Sequence, residues 1–213
     1  MARKLLLYCG ILSSLLYTAM NICIALQWSD YSSMNQTVSE LSAIGAPTRS
    51  IWVGLGYLYT TLFTLFGVGV VLSAHQNRRL KYTGRLIFIY GIVSFAWPFA
   101  PMHLRGEPFG MTDAMHIALG IVTVILMILT ISIGSLVFEK QFRWYSWFSI
   151  FIFIVFGTLT GMGSPGIAKD MPTPWLGVWE RINIGVFLLW VIVFSLEIMK
   201  QDRKNKLETS AAV

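Results

Sequence analysis

The chain has 213 residues, of which 55% are hydrophobic and only 12% are charged. An average soluble domain carries about 25% charged residues, so this composition excludes both a soluble globule and a disordered chain. With two cysteines and no glycine period, a disulfide-rich or collagen-like scaffold is excluded as well. The class that remains is an integral membrane protein.

Six apolar runs are long enough to form membrane-spanning helices, since a bilayer core of about 30 Å takes roughly 20 helical residues. They cover residues 5–26, 51–74, 86–102, 114–138, 145–163 and 182–199. These runs leave no room for a separate soluble domain, so we predict one integral membrane domain over residues 1–213. The predicted fold is all-α, a bundle of six transmembrane helices followed by a basic cytoplasmic tail at residues 200–213.

The basic residues predict the orientation of this bundle. Twelve of the sixteen Lys and Arg residues fall on the N-terminus, the second and fourth connections and the tail, and four fall on the other side. Because cytoplasmic loops collect Lys and Arg, both termini are predicted to be cytoplasmic. The net charge of +6 does not indicate nucleic-acid binding, since no basic-aromatic face exists. Membrane lipids are the expected partners, while protein partners and oligomeric state stay open.

The first outer loop carries the pattern of a short helix. Thr37 and Glu40 have capping-box spacing, and Gly45 is a suitable residue to end the helix. We predict a helix lying at the membrane interface, either as a plug in the mouth of the bundle or as a lid over a substrate. The side chains expected to face apolar material are Val38, Leu41 and Ile44.

Ionisable and amide side chains gather on the predicted outer side, and at membrane depth such residues are functional candidates. Asp113 and His116 open the fourth span at i, i+3 spacing, which places them on one helix face. Glu180 and Arg181 open the sixth span, with Asn183 just inside it. The full set of candidate ligand-binding residues is Asn21, Glu40, Asp113, His116, Glu180, Arg181 and Asn183.

Three interpretations of this polar cluster stay open. The carboxylates can stabilise helix N-termini within a purely structural network, because the helix dipole favours anions there. Alternatively, the cluster lines an outward-facing pocket in which Arg181 holds an anionic headgroup while Asp113 and His116 orient it. In the third interpretation the site is catalytic, with Asp113 orienting His116 as a general base or with zinc bound by protein side chains. The zinc candidates are His103, Asp113, His116 and Glu180.

The spacing of these residues matches no standard zinc signature, so we expect no metal cofactor and treat zinc as a minor alternative.

Three segments stand out along the chain: Ser39–Pro47, Asp113-x-x-His116 and the Gly177–Arg181 run Gly-Val-Trp-Glu-Arg. Together they resemble a bacterial six-span family catalogued as domain of unknown function nine-nine-eight. The chain also looks distantly similar to eukaryotic six-span membrane proteins of the autophagy-modulator and GPI-lipid-remodelling type. The resemblance implies lipid association, a six-span fold and a location in a bacterial cytoplasmic (inner) membrane, but it supplies no activity.

From the sequence alone, the favoured function is binding of a lipid headgroup or small amphiphile in an outward-facing polar pocket. A metal-dependent membrane lipid hydrolase is the main alternative, and a structural or partner-binding membrane subunit is the third. Binding is favoured over catalysis, while the ligand, any transport activity and the pathway stay open.

Overall fold

The computed structural model describes the backbone of residues 2–211 and the side chains of residues 2–204. This part of the chain is helical and contains no strand. Its α-helices are α1 (Ala2–Cys23), α2 (Arg49–Ser73), α3 (Arg78–Ser94), α4 (Met111–Gly134), α5 (Lys140–Gly163), the single turn α6 (Pro165–Ala168) and α7 (Leu176–Ala211). Short 3₁₀ helices cover Ala25–Gln27, Val38–Ser42 and Trp97–Phe99.

Within the described residues, five helical segments are long and apolar enough to cross a membrane. They are Ala2–Gln27, Arg49–Ser73, Met111–Gly134, Lys140–Ala168 and Leu176–Lys204. Each overlaps one of the predicted runs. The prediction of an all-helical integral membrane protein is therefore confirmed, and the end of the predicted tail, residues 212–213, lies outside the described residues.

Helix α3 lies earlier in the chain than the third predicted span, at Arg78–Ser94 rather than at residues 86–102. It begins early because the side chain of Asn77 caps it, accepting a hydrogen bond of 3.1 Å from Leu80 N. The first eight residues of α3 include four basic residues, so they lie outside the charge-free run that predicted the third span. The helix ends before Pro98, where a 3₁₀ turn follows.

The six long helices form a closed ring in the order α1, α2, α3, α4, α5, α7. Each packs against its neighbours, and α7 closes the ring against α1. Aromatic side chains fill the centre, among them the fully buried Phe63, Phe66 and Trp190. The indole N–H of Trp190 donates to Ser146 Oγ at 2.9 Å, so this deeply buried donor is satisfied.

Helices α2 and α3 approach each other closely because glycines lie in their contact. A Cβ atom at Gly67 would lie 2.6 Å from the backbone nitrogen of Phe88. A Cβ atom at Gly91 would meet Thr64 Oγ1 at 2.3 Å. Small residues at such positions let two helix backbones pack directly, as is common between helices in membranes.

The two ends of the ring differ. Loops 24–48, 95–110 and 164–175 meet at one end, called here the long-loop end. Ile44 N donates to Met102 O at 2.8 Å, and Gly177 N donates to Met34 O at 3.1 Å. At the opposite end, Arg3 joins the N-terminal and C-terminal helices through an ion pair of 2.6 Å with Asp202.

The helix predicted in the first outer loop exists, but it is a 3₁₀ helix over Val38–Ser42. Its Val38 and Leu41 are buried as expected, whereas Ile44 follows the helix and is 40% exposed. Gly45 has a φ of 84°, a left-handed conformation that favours glycine and lets the chain turn back towards α2. This loop therefore covers the ring from the long-loop end.

Candidate ligand-binding site

The buried carboxylate of Glu40 holds the first and second long loops together. Its Oε1 accepts a hydrogen bond of 2.5 Å from Arg105 Nε, and its Oε2 lies 3.1 Å from Arg105 Nη2. The same Oε2 accepts from the backbone N–H of Thr37 at 2.7 Å, which is the glutamate half of the predicted capping box. Glu40 thus serves the architecture of the loop and contacts neither cavity described below.

Asp113 pairs with His103 rather than with His116. Its Oδ2 lies 2.5 Å from His103 Nδ1, and its Oδ1 accepts from the backbone N–H of His103 at 2.8 Å. Oδ2 also accepts from Gly110 N at 2.8 Å, so the carboxylate caps the N-terminus of α4. Asp113 therefore fixes the second long loop onto α4 and does not orient His116.

His116 forms the centre of a second polar group together with Ser39 and Glu180. Its Nδ1 lies 2.8 Å from the carbonyl oxygen of Ala100, which can only accept, so Nδ1 carries a proton. Its Nε2 lies 3.1 Å from Ser39 Oγ, and Ser39 Oγ lies 3.3 Å from Glu180 Oε1. The other oxygen of Glu180 accepts from the backbone N–H of Val38. Three segments distant in sequence meet here.

The guanidinium of Arg181 is engaged by the first long loop. Its Nη1 donates to the carbonyl oxygens of Ser33 at 2.8 Å and of Gln36 at 3.0 Å, and its Nη2 donates to the Tyr31 hydroxyl at 2.6 Å. Burial raises the pKa of Tyr31 to about 12, although the charge of Arg181 acts in the opposite direction. Arg181 thus anchors the loop to α7 and does not line either cavity.

The two candidate asparagines differ in position. Asn183 lines the main cavity, and its Nδ2 donates to Phe153 O at 2.6 Å. Asn21 lies away from the cavity, where its Nδ2 donates to Tyr17 O at 3.3 Å. Its Oδ1 is buried and has no hydrogen-bond partner within the described residues.

A cavity of about 900 Å³ lies inside the ring at the long-loop end. Its wall is mostly aliphatic and aromatic, with the ionisable side chains of Arg49, His116 and Glu180 where it meets the long loops and the hydroxyls of Thr60 and Thr123 deeper along α2 and α4. The lining extends along α4 from His116 to Met127, about 16 Å at the rise of an α-helix. A second cavity, of about 150 Å³, shares Ser39, His116 and Glu180 with the first. These three residues therefore lie at the boundary between the two cavities.

Helices α4 and α5 both line the main cavity and contact each other sparsely. In the most apolar stretch of these two spans only 22% and 17% of the residues are buried, against 33–39% in the other three apolar spans. Cavity-lining residues of α4 such as Ile121 and Ile125 are exposed, and so is Gly161 on α5. In a membrane, these exposed lining residues would face hydrocarbon.

The structure brings only some of the predicted site residues together. His116, Glu180 and Asn183 line the main cavity, and Asp113 reaches only the smaller one. Ser39 and Arg49 line the main cavity without having been predicted. For Ser39 a signal existed, because it opens the loop segment on which the family resemblance rests. Arg49 gave no such signal, since the sequence marks it only as one of four outer basic residues.

No metal centre is formed by the candidate zinc ligands. Across the described residues, no three His, Cys, Asp or Glu side chains are grouped so that they could hold a metal ion. His103 and Asp113 bind each other, while His116 faces Ala100 O and Ser39. The polar groups present suit hydrogen bonding to a ligand and proton transfer.

Apolar helices packed in a ring around a cavity define an integral membrane protein of the all-helical class. The chain belongs to a family described as Protein of unknown function (DUF998), whose model matches residues 11–197. The family predicted from the three motifs is thus confirmed. Comparison with curated proteins gave no match, and comparison with solved structures gave none either.

Proposed function

We propose that this protein binds a membrane amphiphile, with the acyl chain in the main cavity and the polar headgroup at the long-loop end. The observation that supports this most directly is the lining of the cavity, which is mostly apolar, carries Arg49, His116 and Glu180 at one end, and has exposed residues on the sparsely packed α4 and α5. A lipid can enter between the sparsely packed helices α4 and α5 without leaving the bilayer, and a water-soluble ligand does not need such a route.

The headgroup would contact His116, Ser39, Glu180 and Arg49. The guanidinium of Arg49 lines the cavity and donates to the carbonyl oxygens of Ser42 at 2.5 Å and Pro98 at 3.3 Å. Since a guanidinium has five N–H groups, others can donate to a phosphate oxygen of the ligand. Arg49 thus takes the anion-holding role that the sequence suggested for Arg181, whose guanidinium is occupied by the first long loop.

We further propose that all six long helices span the membrane, with both termini on the cytoplasmic side. Helix α3 has 17 residues, about 26 Å, which is slightly short for a bilayer core of about 30 Å. It lies between α2 and α4 in the ring, and both of these are apolar spans. Its basic first turns can reach the headgroup region by extending their side chains. Location in a bacterial cytoplasmic membrane rests on the resemblance to a bacterial family.

The proposal is tested by measuring the lipid that the purified protein retains, using two glycine variants of α2. A Cβ atom at Gly56 or Gly54 meets nothing within 4 Å, so a leucine side chain starts in open space at either position. Gly56 lines the main cavity, whereas Gly54 does not. Gly56→Leu therefore fills part of the cavity, and Gly54→Leu is its matched control.

The expected result is a stoichiometric lipid in native mass spectra of the wild-type protein and of Gly54→Leu, with loss of that lipid from Gly56→Leu. Melting curves of the three proteins should agree, because the Cβ atom of neither leucine meets a neighbouring atom. If the wild-type protein carries no lipid, or if Gly56→Leu retains as much as Gly54→Leu, the cavity is not the binding site.

A further inference from the structure

The contact between Ser39 and His116 has the geometry of a nucleophile and its base. An activated serine needs a base within about 2.6–3.2 Å, and the base in turn needs a third group that orients it. Here Ser39 Oγ lies 3.1 Å from His116 Nε2, and Ala100 O fixes the opposite ring nitrogen at 2.8 Å. With the proton on Nδ1, the lone pair of Nε2 points at the serine hydroxyl. The indole of Trp97 packs edge-on against the imidazole, with ring centroids 4.8 Å apart.

Ser39 differs in this respect from the other serines of the main cavity. The hydroxyls of Ser42, Ser94 and Ser164 each donate to a backbone carbonyl within their own helix or turn. Such hydroxyls have no base to accept their proton. Among the cavity-lining serines, only Ser39 faces an imidazole, as far as the described residues show.

The turn that carries Ser39 is held on both sides of this residue. The preceding residue, Val38, donates its N–H to Glu180, and the following residue, Glu40, is paired with Arg105. The one hydroxyl proton of Ser39 has two acceptors within reach, Glu180 Oε1 at 3.3 Å and His116 Nε2 at 3.1 Å. His116 is the nearer of the two, and Glu180 also positions the turn by accepting from the backbone N–H of Val38.

We propose that Ser39 and His116 carry out acyl transfer from a carboxylic ester of a membrane lipid. This inference rests on the proposed function in one respect, because the acyl chain of the ester would lie in the apolar cavity. Ser39 lines both that cavity and the smaller one, so a carbonyl group at the polar end of the bound lipid can reach its hydroxyl.

In the first half of the reaction, Ser39 Oγ attacks the ester carbonyl carbon while its proton passes to His116 Nε2. The ester C–O bond breaks, the departing alkoxide takes the proton from Nε2, and an acyl-serine remains. In the second half, water or the alcohol of another lipid attacks the acyl carbonyl and gives its proton to Nε2. The C–Oγ bond then breaks, and Ser39 recovers its proton. Water as acceptor gives hydrolysis, and a lipid alcohol gives transacylation.

The test is covalent labelling of the full chain in lipid nanodiscs with a short-chain alkyl fluorophosphonate, which reacts with activated serine hydroxyls. The labelled peptide is located by mass spectrometry. We expect the label on Ser39 of the wild-type protein, none on Ser39→Ala at that peptide, and none on Ser42 or Ser164. A general base typically contributes about 100-fold or more, so His116→Gln should label at least about 100-fold more slowly. Ser50→Ala removes an exposed serine outside the cavity and should label like the wild type.

The inference is overturned if wild-type Ser39 stays unmodified under conditions that fully label a reference serine esterase, or if His116→Gln labels at the wild-type rate. Because the short probe does not need the acyl-chain cavity, its result is independent of lipid retention. Retained lipid without labelling overturns the acyl transfer alone. Labelling without retained lipid overturns the binding proposal alone. The wild-type result also stands if a variant fails to fold.

Discussion

Glu40 and Arg105, which lie 65 residues apart in the chain, form an ion pair in which the carboxylate is fully buried. The pair joins the first and second long loops above the cavity, and Arg105 also donates to Asn35 O at 3.0 Å. Removing one partner of a buried pair leaves an uncompensated charge, which costs far more than the intact pair contributes. The two loops that cover the cavity are thus held together by a contact that no local sequence pattern reveals.

Arg105→Ala should therefore lower the free energy of unfolding by about 3–5 kcal/mol, because Glu40 would stay buried without its cation. In the double variant Glu40→Gln/Arg105→Ala the buried charge is gone, so the loss should be clearly less than the sum of the single losses. Reversible unfolding in mixed micelles measures both values. Lys169→Ala, at an exposed basic residue of the third long loop, serves as the control. A cost for Arg105→Ala no larger than that of Lys169→Ala would contradict this account.

Gly177→Ala should destabilise the long-loop end, because a Cβ atom there would lie 2.2 Å from Gln36 O and 2.5 Å from Ser33 O. Overpacking of this kind typically costs about 1–3 kcal/mol. Gly185→Ala on the same helix is the matched control, since its Cβ meets nothing within 4 Å. Alanine is the better helix former by about 1 kcal/mol, so this control should be neutral or stabilising. Equal melting temperatures for the two variants would show that the loop does not contact α7 closely at Gly177.

The membrane class and five of the spans follow from the sequence because a helix that crosses the hydrocarbon core has to meet only one simple condition. A segment of about 20 residues must be apolar throughout, and composition measures this directly. For α3 the same criterion placed the predicted span too late in the chain, because four basic residues lie within the helix itself. In the first long loop, Thr37 and Glu40 predicted a helix start that the structure contains, since a cap is local and is encoded by a few neighbouring residues.

The candidate site was only partly predictable, because helical spacing reports which residues share a face and not what that face meets. Asp113 and His116 do lie on α4 at i, i+3, yet Asp113 faces His103 and His116 faces Ser39. Whether Arg181 or Arg49 reaches the cavity depends on how the first long loop folds back. That fold is determined by contacts between residues more than 60 positions apart, such as Glu40 with Arg105.

Tyr31 should ionise at an unusually high pH in the folded protein. Burial raises its pKa to about 12 from an ordinary value of 10.0. The unfolded chain then loses the phenol proton first, so this residue's contribution to stability is complete below about pH 10 and declines as the pH rises towards 12. The difference in phenolate absorbance between the wild type and Tyr31→Phe isolates this residue. A midpoint near the ordinary value in that difference titration would mean that the hydroxyl is exposed to water.

The proposed topology predicts opposite labelling of two introduced cysteines in intact cells, after the native Cys9 and Cys23 have been replaced by alanine. Ser50→Cys lies at the long-loop end, at the start of α2, and Gln76→Cys lies in the short connection after α2; both positions are exposed. Because Lys and Arg favour the cytoplasmic side, the connection that contains Gln76 should face the cytoplasm. A membrane-impermeant maleimide should therefore label Ser50→Cys directly and Gln76→Cys only after permeabilisation. The reverse pattern would put the polar end of the cavity, with Ser39 and His116, on the cytoplasmic side, and the amphiphile would then be drawn from the inner leaflet.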